Sequence, residues 1–241
     1  MIFNQHDAAI RCEWALQGID TLLEGTDVFI VVDVLSFSTC VDVAVSRGAI
    51  VYPYSGPGES AQAYADSHGA LLASHQRGTG GYSLSPTSLT AIPPETRLVL
   101  PSPNGSRLSL ATRQVPTFAG CLRNAKAVAH MAASIGLRIS VIPAGERWPD
   151  GSLRVSLEDL IGAGAIIHHL PGTRSAEAQM AETAFLQMQP TLIAQLGTCA
   201  SARELVAKGF PGDVDLALAL NDSTSAPHLI DGAYRQSTAR P

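Results

Sequence analysis

The stretch VFIVVDVLSFSTC, residues 28–40, constrains the fold more than any other part of this 241-residue chain. Its first half is apolar at consecutive positions, which is typical of a strand that is buried on both faces in a parallel sheet. Asp33 interrupts the run just before small hydroxyl residues begin. A buried carboxylate costs on the order of several kcal/mol unless it is hydrogen-bonded, paired with a cation or bound to a metal. The stretch therefore predicts a central strand that ends at a compensated aspartate.

Strand-like and helix-like patterns alternate along the rest of the chain. Strand-like patterns occupy residues 27–35, 49–54, 70–74, 96–102, 116–120, 137–145 and 213–221, and helix-like patterns occupy residues 38–48, 59–69, 124–136, 156–170, 175–188 and 199–209. The order β-α-β-α-β over residues 27–74 implies a parallel sheet with right-handed crossovers. We expect a long functional loop at 75–95 and frayed residues at 234–241. No linker is evident, so we predict one α/β domain over residues 1–241, with two sub-lobes that meet near 115–140 as the alternative.

The composition argues against several classes of protein. Charged residues make up 15% of the chain, and the net charge of −5 comes without a Lys/Arg run, so we expect no nucleic-acid partner. No apolar run is long enough for a membrane span, and residues 1–18 do not resemble a signal peptide. The four cysteines are far apart in sequence, which predicts reduced thiols in a cytoplasmic protein. The low charge content leaves room for the apolar surface of a homodimer.

Four polar, glycine-bearing or hydroxyl-rich loops follow predicted strands. They are DVLSFST at 33–39, PSPNGS at 101–106, AGCLRNA at 119–125 and PAGERWPDG at 143–151. In open α/β sheets, ligands bind outside the carboxyl ends of the strands. These loops therefore predict one site for a small ligand, as in an enzyme or an anion-binding protein.

Local patterns at these loops leave several alternatives open. Asn104-Gly105 fits an anion-binding turn at a helix start, and it fits a hairpin turn equally well. Ser156 and Asp159 have the spacing of a capping box, which leaves Glu158 on another side of the helix. Asp33 could itself cap the helix that follows it.

Other residues of the 156–170 helix also call for an explanation. Gly162 and Gly164 each weaken a helix by about 1 kcal/mol, so a strand or a ligand must approach the backbone there. His168 and His169 are expected at the helix end rather than on a metal.

Five short motifs, taken in order, resemble the 2-phosphosulfolactate phosphatase family. They are VVDVL-x-x-ST, PNGS, G-C-x-x-N-A-x-A-V-A, AGE…SLEDLIGAGAI and GF…DVDLALALN, between about Asp27 and Leu229. The resemblance implies a three-layer α/β/α fold with a largely parallel or mixed sheet. It also implies a magnesium-dependent phosphatase that releases phosphate from 2-phosphosulfolactate to give sulfolactate, on the route to coenzyme M.

The resemblance and the loop positions together give the candidate site residues. The catalytic candidates are Asp33, Glu158 and Asp159, of which Asp33 and Glu158 are also the candidate Mg²⁺ ligands. The candidates for binding the small phosphorylated anionic substrate are Ser38, Thr39, Arg77, Asn104, Gly105, Ser106, Arg123 and Asn124. Asp33 could act as a metal ligand or as a covalent nucleophile.

The chain departs from the family pattern at several positions. Ser36 replaces an arginine after DVL, Gln76 replaces a glutamate, Cys199 replaces a serine, and the segment 81–88 differs from the family stretch. A phosphatase for another small phosphorylated hydroxy acid is therefore an alternative, and so is a non-catalytic small-anion-binding protein of the same fold.

Overall fold

The computed structural model describes residues 2–56 and 60–237, which form a mixed α/β structure. The strands are Ile10–Cys12 (β1), Val28–Val32 (β2), Ile50–Tyr54 (β3), Leu71–Leu72 (β4), Arg97–Pro101 (β5), Thr117–Gly120 (β6), Ile139–Pro143 (β7), Glu146–Arg147 (β8), Leu153–Arg154 (β9), Pro227–Ile230 (β10) and Ala233–Gln236 (β11). The α-helices are Ala15–Leu22 (α1), Phe37–Ser46 (α2), Ala61–Ser67 (α3), Gly105–Ala111 (α4), Ala125–Ile135 (α5), Leu157–His168 (α6), Ala176–Met188 (α7), Leu192–Leu196 (α8), Ala200–Ala207 (α9) and Pro211–Ala217 (α10). Short 3₁₀ helices lie at Ile2–Asn4, Pro86–Leu89 and Gln189–Thr191.

One mixed sheet carries most of these strands, in the order β1-β7-β2-β6-β10-β11-β3-β5-β4. Within the first four strands all pairings are parallel, and the same holds within the last three strands. The hairpin of β10 and β11 joins the two groups through antiparallel pairings. Strands β2 and β3 are consecutive along the β-α-β-α-β segment but not adjacent in the sheet, because the C-terminal hairpin lies between their groups. The three antiparallel pairings also leave β3 antiparallel to β2, so the expected parallel β-α-β unit was wrong for this pair.

Strand β2 is buried on both faces, as its continuous apolar sequence predicts. Val28, Ile30 and Val32 face a core that includes α5, α6 and α7, whereas Phe29 and Val31 face a core that includes α1 and α4. Helices thus cover both faces of the sheet, and the prediction of a three-layer α/β/α fold is confirmed. Asp33 follows directly at the end of this buried strand.

Two expectations for the C-terminal part were wrong. Residues 213–221 were expected to form a strand, but Pro211–Ala217 is helix α10, which Pro211 can start because its fixed φ suits a first turn. The end of the chain was expected to fray, but Tyr234 is fully buried in β11, and its hydroxyl donates to Ser109 Oγ at 2.7 Å. Residues 238–241 lie outside the described part of the chain.

Helix α6 carries Gly162 and Gly164, where a strand or a ligand was expected to approach. The β2 segment approaches Gly162, but helix α7 approaches Gly164. A Cβ on Gly162 would lie 2.7 Å from a methyl group of Val34, just after β2. A Cβ on Gly164 would lie 2.1 Å from the backbone oxygen of Ala181 in α7. Both helix positions are therefore packed so closely that no side chain fits. The histidines His168 and His169 end this helix, as expected.

No helix within residues 2–56 and 60–237 is both long and apolar enough to span a membrane.

We expect Gly164→Ala to lower the free energy of unfolding by about 1–3 kcal/mol, because its methyl group would force α6 and α7 apart. Urea unfolding followed by circular dichroism measures this change. Gly81→Ala is the control, since a Cβ there meets no atom within 4 Å. An unchanged midpoint for Gly164→Ala would contradict the packing described here.

Candidate active site

Asp33 sits at the end of β2 with only 7% of the residue exposed. Its Oδ1 accepts a hydrogen bond from the backbone N–H of Phe37 at 3.1 Å, and its Oδ2 accepts one from the N–H of Gly105 at 2.9 Å. Phe37 and Gly105 are the first residues of α2 and α4. Unpaired N–H groups at helix starts favour a negative charge. The carboxylate is therefore compensated in part by two helix N-termini, and the alternative in which Asp33 caps the helix that follows it is present in the geometry.

This compensation is incomplete. Burial and, next, the negative charge of Glu146 raise the pKa of Asp33 to about 7, while the hydrogen bonds from Phe37 and Gly105 act in the opposite direction. The negative charge of Glu158 adds to the increase. Such a carboxylate gains from any cation that binds beside it.

Asp159 also uses both carboxylate oxygens, but it holds loops together. Its Oδ1 accepts from the N–H of Val34 at 2.8 Å, and its Oδ2 accepts from the N–H of Gly145 at 2.9 Å. It thus joins the loops after β2 and β7. The expected capping box with Ser156 was wrong, because the Ser156 hydroxyl is buried without a hydrogen-bond partner in the described chain.

Glu158 lies deeper than Asp33, with 2% of the residue exposed. Its Oε2 accepts a hydrogen bond from the thiol of Cys199 at 3.4 Å. Burial and the adjacent Glu158 charge raise the pKa of that thiol to about 11. Glu158 therefore contributes negative charge near Asp33 from the interior.

A cavity of about 340 Å³ opens in front of Asp33. Its charged lining residues are Asp33, Glu146, Glu204, Arg77, Arg147, Arg154 and Lys208. A larger cleft of about 810 Å³ lies along residues 71–88 and Phe210, but no charged side chain lines it among the described residues. The cavity beside Asp33 is therefore the candidate active site, because its lining brings three carboxylates and four cations together.

Arg77 and Asn104 are the substrate-binding candidates that line this cavity. Arg77 donates from Nη2 to Ser36 Oγ at 3.1 Å and pairs through Nη1 with Asp213 Oδ2 at 2.6 Å. Asn104 donates from Nδ2 to Glu146 Oε2 at 3.0 Å. The loops after β2, β5 and β7 thus converge on one site, as predicted.

Two neighbours of Asn104 serve the architecture of the loop. The N–H of Gly105 is committed to Asp33, and a Cβ at this glycine would lie 2.2 Å from the ring of Phe37. The buried hydroxyl of Ser106 donates to the carbonyl oxygen of Leu100 at 2.9 Å. The sequence Asn-Gly therefore starts helix α4 and not a hairpin.

Ser38 and Thr39 hold the turn between β2 and α2. The Ser38 hydroxyl donates to Val31 O and accepts from the N–H of Asp33, both at 3.1 Å. The Thr39 hydroxyl donates to Val34 O at 2.7 Å. Both hydroxyls are fully buried, so they shape the backbone around Asp33 and do not line the described cavity.

The structure does not bring Arg123 and Asn124 to the described cavity. The Arg123 side chain pairs with Asp42 at 2.9 Å and with Asp222 at 3.1 Å. Asn124 is fully buried, and its Oδ1 accepts from the N–H of Cys121 at 2.8 Å. The loop after β6 is therefore tied to the C-terminal part of the chain, unlike the other three loops.

Glu146 and three of the cations, Arg147, Arg154 and Lys208, line the cavity although they were not predicted as site residues. Glu146 and Arg147 belong to the polar PAGERWPDG loop, which did carry a signal for this region. Arg154 lies on β9, and Lys208 ends α9, where no local pattern distinguishes a site residue from an ordinary surface cation.

The donor set beside Asp33 suits Mg²⁺. Asp33 and Glu146 supply carboxylate oxygens, and the amide of Asn104 lies against Glu146. Within the described residues, no group of three or more His, Cys, Asp or Glu side chains is placed to hold a metal ion. Mg²⁺ commonly takes one or two carboxylates together with waters and phosphate oxygens, so this smaller set fits its usual mode.

Comparisons with known proteins show the family of the chain. The family model for 2-phosphosulpholactate phosphatase matches residues 17–232. A protein of Carboxydothermus hydrogenoformans (strain ATCC BAA-161 / DSM 6008 / Z-2901), named "Probable 2-phosphosulfolactate phosphatase", is 30% identical over 217 residues, which cover 84% of this chain and 87% of that protein. The chain belongs to the 2-phosphosulfolactate phosphatase family and is a hydrolase of a phosphate monoester.

Proposed function

We propose that this chain hydrolyses 2-phosphosulfolactate to sulfolactate and phosphate in the cavity beside Asp33, with Mg²⁺ as cofactor. The observation that carries the proposal is the charge pattern of this cavity. Arg77, Arg147, Arg154 and Lys208 line it together with the carboxylate of Asp33. The substrate carries a phosphate, a sulfonate and a carboxylate, and each of these groups gains from a cationic hydrogen-bond donor.

Asp33 and a second carboxylate would hold Mg²⁺. The sequence resemblance favours Glu158 for that second position, whereas the cavity lining favours Glu146. Bound Mg²⁺ would neutralise charge on the phosphate oxygens and on the departing alkoxide. The raised pKa of Asp33 supports this assignment, since a cation would stabilise its charged form.

Both oxygens of Asp33 already accept a backbone N–H, which fixes the carboxylate and lowers its nucleophilicity. We therefore assign Asp33 to metal and charge control, with water as the nucleophile. The oxygen of the water forms the new bond to phosphorus while the bond between phosphorus and the ester oxygen breaks, and the proton that the water loses balances the one that the sulfolactate alkoxide takes up. An aspartyl phosphate at position 33 trapped by acid quench would assign the nucleophile to Asp33 instead.

Guanidinium and ammonium groups would hold the remaining anionic groups of the substrate. Arg77 is fixed near Ser36, in the loop that also carries Asp33. Arg154 donates to Ser201 Oγ at 3.0 Å, and Lys208 pairs with Glu204 at 2.5 Å. These cations surround the cavity from different elements, which suits an ester with anionic groups at different carbons.

Four expectations stay predictions. They are a cytoplasmic location, a place in coenzyme M synthesis, a homodimer and the lack of a nucleic-acid partner.

We expect Mg²⁺-dependent phosphate release that is at least about 10-fold faster, as kcat/KM, for 2-phosphosulfolactate than for 2-phospholactate. The latter lacks the sulfonate, and one charge-assisted hydrogen bond contributes roughly 1.5–3 kcal/mol. A malachite-green assay with Mg²⁺ or with EDTA measures both effects. Equal rates on the two esters would move the substrate to another phosphorylated hydroxy acid. Tight sulfolactate binding without turnover of any ester would favour the non-catalytic alternative.

We expect Glu146→Gln to weaken Mg²⁺ binding by at least about 10-fold, because Mg²⁺ prefers charged oxygen ligands. Glu158→Gln is the matched variant, and we expect it to change the affinity by less than about 3-fold. Calorimetric titration of the metal-free protein with MgCl₂ measures both without turnover. The opposite ranking would place the second ligand at Glu158.

A further inference from the structure

Asp213 is a buried carboxylate that the proposed reaction does not use directly. It lies in the first turn of α10, its side chain is fully buried, and Oδ2 contacts Arg77 Nη1 at 2.6 Å. We propose that Asp213 is a positioning residue, which holds Arg77 in the orientation that binds an anionic group of the substrate. This inference rests on the proposed function, because it assigns Arg77 to the substrate.

The two oxygens of Asp213 have separate tasks. Oδ1 accepts from the hydroxyl of Ser85 at 2.6 Å, from the hydroxyl of Thr87 at 2.7 Å and from the N–H of Thr87 at 3.1 Å. Three donors from the long 75–95 loop therefore fix the carboxylate, and Oδ2 faces Arg77. A carboxylate anchored in this way can hold a guanidinium in one orientation.

Arg77 is also held on two further sides. Its guanidinium carbon lies 5.8 Å from the centre of the Phe210 ring, in a cation–π contact. Its Nη2 donates to Ser36 Oγ, three residues after Asp33. Two of its five N–H donors are thus used in the contacts described, which leaves three for a ligand in the cavity that Arg77 lines.

The arrangement matters because a free arginine loses rotamer entropy when it binds an anion. That loss is among the largest of any side chain, because arginine is long and has many rotamers. Asp213, Phe210 and Ser36 order Arg77 before the substrate arrives, so the binding step is spared much of this loss. If Asp213 acts by orienting Arg77, substitution of Asp213 should weaken ligand binding only while Arg77 is present.

A second buried pair in the chain offers a matched control. Asp42 is also fully buried, and it accepts from Arg123 Nε at 2.9 Å and from the Ser223 hydroxyl at 2.6 Å. Arg123 does not line the described cavity. Loss of the Asp42 carboxylate therefore tests what a broken buried ion pair does when its arginine plays no part in binding.

The experiment is a double-mutant cycle read out by calorimetric titration with sulfolactate. We expect Arg77→Ala to weaken binding but to leave it measurable, since Arg147, Arg154 and Lys208 remain. We expect Asp213→Asn to weaken binding by about 10-fold in the wild-type background and by less than about 2-fold in the Arg77→Ala background. Asp42→Asn should leave the Kd within about 2-fold.

Each other outcome is decisive. Equal weakening by Asp213→Asn in both backgrounds, or an unchanged Kd in the wild-type background, would overturn the positioning role. Absence of sulfolactate binding by the wild type would overturn it as well. Should Asp213→Asn fail to fold, Phe210→Leu takes its place in the cycle, and we expect a weakening of about 3-fold that vanishes without Arg77.

Failure of the proposed reaction is a separate result. A wild type that binds sulfolactate but releases no phosphate from 2-phosphosulfolactate would contradict the proposed function. The coupling between Asp213 and Arg77 would still be measured in that protein, because the titration does not depend on turnover.

Discussion

The pair of hydrogen bonds to the Asp33 carboxylate is the interaction on which the centre of this molecule depends. One comes from the first N–H of α2 and the other from the first N–H of α4. A single side chain at the end of β2 thus fixes where two helices begin. Gly105 makes this possible, since a Cβ at that position would overlap the ring of Phe37. Asp159 repeats the arrangement beside it and ties the loop after β2 to the loop after β7.

The surroundings of Asp33 leave part of the negative charge of the site uncompensated. Two backbone dipoles cannot fully replace the water that burial removes from Asp33, and nearby Glu146 and Glu158 add negative charge. Cations from several different elements line the cavity and offset part of this negative charge. A multiply anionic ester together with Mg²⁺ would complete the balance, which links the electrostatics of the fold to the proposed chemistry.

Much of the fold could be predicted from local sequence, because buried strands and helices leave strong hydrophobic patterns. The continuous apolar run predicted the burial of β2, and the two glycines predicted close packing of α6. The neighbour of Gly164 is helix α7, however, and not the expected strand or ligand. The hairpin of β10 and β11 was not predicted, because its pairing partners, β6 and β3, lie far away in sequence. Helix α10 spans only Pro211–Ala217, which is too short for helical periodicity to outweigh an apparent alternation.

Less of the candidate site than of the fold could be predicted from the sequence. Loop positions predicted that Asp33 and Asn104 would meet, since both follow strands of the sheet. Arg123 has the same local signal, but long-range partners, Asp42 and Asp222, determine where its side chain lies. Arg154 and Lys208 reach the cavity only through tertiary packing, so no local pattern marks them. Sequence patterns therefore indicate the loops of the site better than its charges.

The most direct test of this account is phosphate release by Asp33→Asn, measured together with its free energy of unfolding. We expect a loss of kcat of at least about 10²-fold, because the amide cannot supply the negative charge that the proposed chemistry requires. The folded fraction should remain high enough for binding and activity to be measured. A variant that keeps kcat within a few-fold of wild type and is merely less stable would show that Asp33 only caps two helices.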